Sequence, residues 1–336
     1  MRIRRRVLSL ALLACGLSGC SGWQSALDPQ GPQAQHLATI IWSFTLICAV
    51  VWVLVIAALV IGLMRPHPAR FDPLATDSLR ERRALLAIGA ATAATLVILL
   101  VLTGISYVSQ KRLFTKQEAK ITISLTGHQW WWEVQYDDPK PDRTFITANE
   151  IHIPVGEPIA VKLKSADVIH SFWVPSLAGK LDLIPGQDNE LQFVASRPGS
   201  YRGQCAEFCG WQHAHMGLLV IASPRDEFEQ WRDAQIKPAE PIADAEQQKG
   251  QQTFLSKPCI MCHSVRGTPA GGRIGPDLTH LGSRKYIAAA TLPMSRGNLA
   301  AWIVDPHGIK PGVNMPLMKI EPEELDPLVS YLTSLK

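Results

Sequence analysis

A chain of 336 residues with 47% hydrophobic side chains and a formal net charge of +4 has room for two folded domains beside membrane segments. Its 33 Lys and Arg stand against 29 Asp and Glu and are scattered along the chain. No sustained basic face with stacking aromatics forms, which excludes nucleic acid as the partner this composition serves.

The start Met1-Arg-Ile-Arg-Arg-Arg6, the apolar residues 7–17 and Leu17-Ser-Gly-Cys20 supply the basic, apolar and small-residue parts of a signal peptide over residues 1–19. The segment resembles a bacterial lipoprotein signal. That resemblance implies that Cys20 becomes the lipidated first residue and that Cys15 is discarded. The competing reading is an uncleaved first membrane helix, for which the apolar run is short.

Within residues 20–110, two apolar stretches, about 37–64 and 84–108, each exceed the roughly 20 residues a bilayer requires and predict a two-helix transmembrane hairpin. Basic residues flank both sides: Arg65, Arg70, Arg80, Arg82 and Arg83 between the spans, then Lys111, Arg112, Lys116 and Lys120. The positive-inside rule alone therefore leaves the orientation open. A lipid on Cys20 at the outer face of a bacterial cytoplasmic membrane places the Arg-rich loop inside and the rest of the chain on the periplasmic side. Cys48, inside the first span, reads as a small apolar residue.

Residues 111–235 alternate apolar and polar side chains in short runs, among them Ile121-Thr-Ile-Ser-Leu125, Glu150-Ile-His-Ile-Pro154, Ile159-Ala-Val-Lys-Leu163, Glu190-Leu-Gln-Phe-Val194 and Gly217-Leu-Leu-Val-Ile221. Pro- and Gly-rich turns separate them. The pattern predicts a small β-sandwich or barrel.

Residues 205–216 of this domain carry Cys205, Cys209, His213 and Met216. Soft sulfur with imidazole and a weak Met ligand is the copper electron-transfer set. One Cys suffices for a mononuclear blue-copper loop, so the second suggests two copper ions bridged by two thiolates. His170, after a strand and before a turn, is the candidate for the second imidazole, and a carbonyl, that of Glu207, completes the set. Zinc is the chemical competitor for two Cys and two His, and a disulfide is the competitor in an oxidising compartment. Neither uses Met216. His128, His152 and His215 read as structural.

A distant His followed by Cys-x3-Cys-x3-His-x2-Met resembles the binuclear CuA domain of cytochrome c oxidase subunit II. Gly127-His-Gln-Trp-Trp-Trp132, Asn149-Glu-Ile-His-Ile-Pro-Val155 and Leu181-Asp-Leu-Ile-Pro-Gly186 carry the resemblance further, over most of residues 20–235. It implies a cupredoxin-like, all-β Greek-key barrel. It also makes Trp130 the residue through which electrons enter, and assigns the Glu207 side chain to a magnesium or manganese ion shared with subunit I. Trp131 and Trp132 read as packing residues. Gln187 departs from the family, which more often has Arg after Ile-Pro-Gly.

A polar linker, residues 236–244, leads into residues 245–336, with helical runs at 245–256, 298–304 and 323–335. Cys259-Ile-Met-Cys-His263 has two thiols for haem vinyl groups and an adjacent imidazole for iron. With Gly250-x-x-x-Phe254, Ile274-Gly-Pro-Asp-Leu278 and Leu328-Val-Ser-Tyr-Leu332, the segment resembles an all-α class I cytochrome c. That family's Met-Pro ligand falls on Met315, with Met318 and Met294 as rivals whose alternative is core packing.

Together the resemblances imply a multidomain membrane protein. It would be the electron-transfer subunit of a terminal haem-copper oxidase, receiving electrons from cytochrome c or another donor at its own haem c. They would pass through CuA to subunit I, which reduces oxygen to water with the other oxidase subunits. The chain has no His-rich membrane helices with which to bind the oxygen-reducing centre itself. A membrane-anchored haem and copper carrier serving another reductase is the alternative. Fusion makes donor encounter intramolecular, with an effective concentration of about millimolar for a short flexible linker.

Overall fold

The computed structural model describes residues 22–65, 78–113 and 117–336. The signal segment and Cys20 lie outside the described residues. One compact unit comprises residues 36–115, and the other joins the chain before residue 36 to everything from Lys116 onward.

The first unit is built on α1 (Pro32–Met64) and α2 (Ser78–Leu113), both long and apolar enough to cross a membrane. At about 1.5 Å per residue each exceeds the ~30 Å apolar thickness of a bilayer. Both overrun the predicted spans because the backbone ladder continues through their polar ends. Trp52, Leu54, Leu86 and Leu100 are exposed, with no protein cover. The hydroxyls of Ser43, Thr45, Thr95 and Thr103 donate to the carbonyls of Thr39, Ile41, Ala91 and Leu99, four residues back. Each of these four hydroxyls is thereby paired within its own helix.

The second unit opens with a β domain of ten strands: β1 (Ile121–His128), β2 (Trp131–Asp137), β3 (Phe145–Ala148), β4 (Glu150–Pro154), β5 (Ile159–Ser165), β6 (His170–Trp173), β7 (Leu181–Leu183), β8 (Asn189–Phe193), β9 (Gly199–Cys205) and β10 (Gly217–Ser223). They form two five-stranded sheets, ordered β3-β2-β1-β5-β8 and β4-β10-β9-β6-β7. The β1–β5 and β10–β4 pairs are parallel, and the other pairings are antiparallel. Alternate residues of β1 and β2 are buried, so Ile123, Leu125, Trp132 and Val134 enter the core between the sheets. Trp132 and Phe172 meet edge to face.

Helix α3 (Arg225–Ile236), which the sequence reading left unassigned, closes this core with Phe228, while its Trp231 stacks on His152 at 4.0 Å. The sequence reading of His152 as structural fits this contact.

The C-terminal part holds α4 (Ala245–Ser256), α5 (Cys259–Cys262), α6 (Arg296–Val304), α7 (Pro306–Ile309) and α8 (Pro322–Ser334). Asp244 caps α4 by accepting the Gln247 amide, and Glu321 and Glu324 form a capping box on α8. These helices cross where Gly250 lies against Pro327. A Cβ on Gly250 would sit 1.9 Å from the Pro327 carbonyl oxygen, so only glycine admits the approach. Phe254 and Tyr331 pack beside it, centroids 5.9 Å apart.

The linker is extended but not free-standing. The Ala239 amide donates to Arg266 O, Arg266 donates to Ile236 O, and Ala239 and Ile242 pack on the C-terminal core.

Candidate functional site

Strand pairing assembles the first cluster. β6 begins at His170 and pairs with β9, with Phe172 opposite Cys205, while β9 ends at Cys205 and β10 restarts at Gly217 opposite Gln204. Residues 206–216 are therefore the loop of a β9–β10 hairpin, closed by the Cys205 amide donating to Met216 O. Strand β6, between β9 and β7, thus holds the distant histidine beside the loop.

Cys205 Sγ lies 3.8 Å from Cys209 Sγ, 3.9 Å from His170 Nδ1 and 3.2 Å from Glu207 O. Cys209 Sγ lies 3.6 Å from His213 Nδ1 and 3.8 Å from Met216 Sδ. The thiols are free, at nearly twice the ~2.05 Å of a disulfide. Ligand atoms of His170, Cys205 and Cys209 fall within 4.8 Å of one another, and all three residues are buried. All six expected copper ligands thus lie together, with an imidazole beside each thiol.

Electrostatics favour a cation here. The Cys205 thiol is pushed well below the ordinary thiol range by the hydrogen bond from Cys209, with further help from His170. Cys209 is pushed up because it holds that hydrogen bond beside a thiolate. A metal ion would take both as thiolates. Burial works to lower the His170 pKa, but hydrogen bonds to Cys205 and Asp167 outweigh it, and the net shift is upward.

Asp167, which the sequence reading missed, orients the ligand: its Oδ1 lies 2.7 Å from His170 Nε2, leaving Nδ1 toward sulfur. Gly127 also matters, since a Cβ there would lie 2.7 Å from His170 Cδ2.

Trp130 is buried, and its indole Nε1 donates to Cys209 O at 2.9 Å, beside a 2.8 Å bond from Gln129 Nε2 to the same carbonyl. The aromatic signature is thus one hydrogen bond from a sulfur ligand's main chain. Trp131 stacks on His128 at 4.4 Å, and His215 Nδ1 lies 2.7 Å from Gln212 Oε1, both structural contacts. The Glu207 carboxylate meets Lys180 Nζ at 3.0 Å.

In the second cluster Cys259 and Cys262 are free and sit on the single turn α5, with His263 directly after it. His263 Nδ1 lies 2.8 Å from Pro276 O, which leaves Nε2 for a metal. Burial lowers the His263 pKa and keeps the ring neutral, the form that ligates. Gly275 adjoins this ring so closely that a Cβ would lie 2.8 Å from Cε1. Met261, Ile274 and Leu317 expose large apolar side chains on the segments carrying Cys259 and Cys262, Gly275 and Met315. Such a donor set, with exposed apolar side chains on the same segments, suits a flat, apolar iron macrocycle. Met294 packs on the C-terminal core, as its alternative reading required, whereas Met315 lies in the loop between α7 and α8.

Both clusters lie in segments that match known families. Residues 121–223 match the family described as cytochrome c oxidase subunit II, periplasmic domain, and residues 247–336 match cytochrome c. Cytochrome c oxidase subunit 2 of Alkalihalophilus pseudofirmus is 34% identical over 98% of this chain and 97% of its own. Its counterpart in Bacillus sp. is 32% identical over 70% of this chain and 68% of its own. A solved structure, the periplasmic domain of subunit II of the Bradyrhizobium japonicum oxidase, is 34% identical and covers 36% of this chain and 96% of that one, with a TM-score of 0.33. The chain belongs to the cytochrome c oxidase subunit 2 family and carries a cytochrome c domain at its C-terminus.

Proposed function

We infer that this chain is the electron-transfer subunit of a membrane-anchored haem-copper oxidase, holding a binuclear copper centre at His170, Cys205, Glu207 O, Cys209, His213 and Met216. The observation that carries this reading is the unbonded pair of thiols 3.8 Å apart, each with its own imidazole and a weak third donor. Covalent haem c would be held by Cys259, Cys262, His263 and Met315. When bound, these groups relay single electrons from an external donor toward a catalytic subunit I that reduces oxygen to water.

The protein's part is positioning. Asp167 fixes the His170 ring, Pro276 O fixes His263, and Trp130 hands its indole N–H to the carbonyl of Cys209. Cys205 and Cys209 would hold the copper as thiolates, and a charge shared over both side chains would leave each metal–ligand bond little changed on electron transfer. For Glu207 to reach a magnesium or manganese ion at subunit I, its carboxylate must exchange Lys180 for that ion. Residues 1–19 would be removed and Cys20 lipidated at the outer face, leaving both metal-binding domains on the periplasmic side. The domain limits that follow are 20–110, 111–235, 236–244 and 245–336.

Purification of the membrane complex tests the reading. Copper, covalent haem and a large haem-bearing subunit should copurify. Recovery of the chain with both metals but no such subunit would favour a carrier serving another reductase.

A further inference from the structure

Lys310 is 1% exposed, the one lysine buried among the described residues. Its ammonium has three donors, and the structure shows three acceptors: Trp130 O at 3.0 Å, His215 O at 2.8 Å and Ala288 O at 3.3 Å. Two belong to the β domain and one to the C-terminal domain. Around it, Asn314 Nδ2 donates to Gln129 O at 2.9 Å, and Gln212 Nε2 donates to Pro311 O at 2.7 Å. The segment that carries Met315 is therefore fastened, immediately before that residue, to the aromatic signature at Gln129 and Trp130 and to the copper loop at Gln212 and His215.

A second fastening flanks it. Ala288, Ala289 and Ala290 all adopt left-handed backbone, with φ of 53°, 56° and 55°, a region that L-residues with a Cβ avoid. In that shape Ala288 O accepts Lys310, Ala289 O accepts the Gly217 amide at 3.0 Å, and Ala290 O accepts Arg202 Nη1 at 3.0 Å. A Cβ on Gly217 would lie 3.2 Å from Ala289 O. Buried, fully used polar groups of this kind specify one arrangement.

We propose that Lys310 is an interdomain latch that holds the chain's own Met315 loop over Trp130 and so fixes the approach of the fused haem domain to the copper site. The proposal rests on the copper and haem assignments above. Trp130 is a buried residue whose carbonyl is capped from the haem-domain side. Lys310 is a positioning residue and touches neither metal set.

Hydrogen exchange on the purified oxidase complex tests this without relying on turnover. The Gly217 amide bonds across the interface, whereas the Leu219 amide bonds to Asn149 O within the β domain. In the wild type both should be protected. In Lys310→Met, exchange at Gly217 should rise about tenfold or more, the scale of losing buried hydrogen bonds, with Leu219 unchanged. Copper content, haem content and the sulfur–iron band should stay at wild-type values, while copper reduction lags haem reduction by a larger interval. Unchanged Gly217 exchange overturns the latch, and an unprotected wild-type Gly217 overturns the docking itself. Absence of copper or haem from the wild-type complex would instead defeat the underlying reading. Should Lys310→Met not accumulate, Asn314→Ala removes one exposed amide bond, and a rise of about two- to threefold at Gly217 is expected. No rise overturns the proposal.

Discussion

One carboxylate links His170 to the aromatic signature. Asp167 Oδ1 lies 2.7 Å from His170 Nε2, and its Oδ2 accepts the Gln129 amide at 2.7 Å. The ring that faces Cys205 and the segment that carries Trp130 are thus set by the same side chain. Asp167→Asn keeps the shape but weakens the charge-assisted bond to the imidazole. Copper affinity should fall about tenfold or more, with the fold intact. Titration of the metal-free β domain within the full chain, followed by optical absorption, measures it.

Gly127→Ala introduces a methyl 2.7 Å from the His170 ring. The ring cannot retreat without leaving Cys205, so the variant should lose about 1–3 kcal/mol of stability and load copper poorly. Thermal unfolding and copper analysis of the same preparation separate the two effects. A fully loaded variant with unchanged unfolding would show that the ring has room the structure denies it.

Met315→Ala should abolish the absorption band of sulfur–iron ligation while leaving covalent haem attached through Cys259 and Cys262. The reduction potential should fall, because Met with His raises it. Met294→Ala should keep the band and lose stability, since Met294 packs on the core. Survival of the band in Met315→Ala would transfer the ligand role to Met318.

Acid should destabilise the β domain through His152. Burial lowers its pKa below 6.5, with the Glu150 hydrogen bond opposing. Just below 6.5 the unfolded chain gains a proton that the folded one refuses, so stability falls as pH drops through that window and levels off above it. His152→Phe keeps an aromatic ring against Trp231. Its melting temperature should therefore change less than that of the wild type between neutral pH and about pH 5.

Rapid reduction of copper by the haem domain should persist at high ionic strength. Added salt screens exposed charges beyond about 10 Å at 0.1 M, but a docked domain needs no charge-steered encounter. Stopped-flow reduction in low and high salt measures this. A steep fall in the intramolecular phase would contradict a docked haem domain.

The candidate ligands were legible as candidates where chemistry is concentrated in sequence. The residues 205–216 loop announces copper through its sulfur and imidazole, and Cys259-Ile-Met-Cys-His263 announces haem. Helices α4, α6 and α8 fall within two residues of their predicted bounds. Strand β2 was hidden because its first two residues, Trp131 and Trp132, drew attention as part of the aromatic signature, although the burial of Trp131–Asp137 alternates as any half-buried strand does. Asp167 carries no local signal, since its role depends on the turn that brings it under His170.

The linker reads as a polar tether, and only packing shows Ala239 and Ile242 against a core. The interdomain fastening was illegible for a different reason. Its acceptors are main-chain carbonyls of Trp130, His215, Ala288, Ala289 and Ala290, groups that every sequence possesses.

Electron paramagnetic resonance of the oxidised, purified chain in its complex tests the central claim, that Cys205 and Cys209 bridge two copper ions. One unpaired electron should show hyperfine splitting from two equivalent copper nuclei, lost when either cysteine is replaced by serine. A signal split by a single copper nucleus, or a metal-free Cys205–Cys209 disulfide, would contradict it.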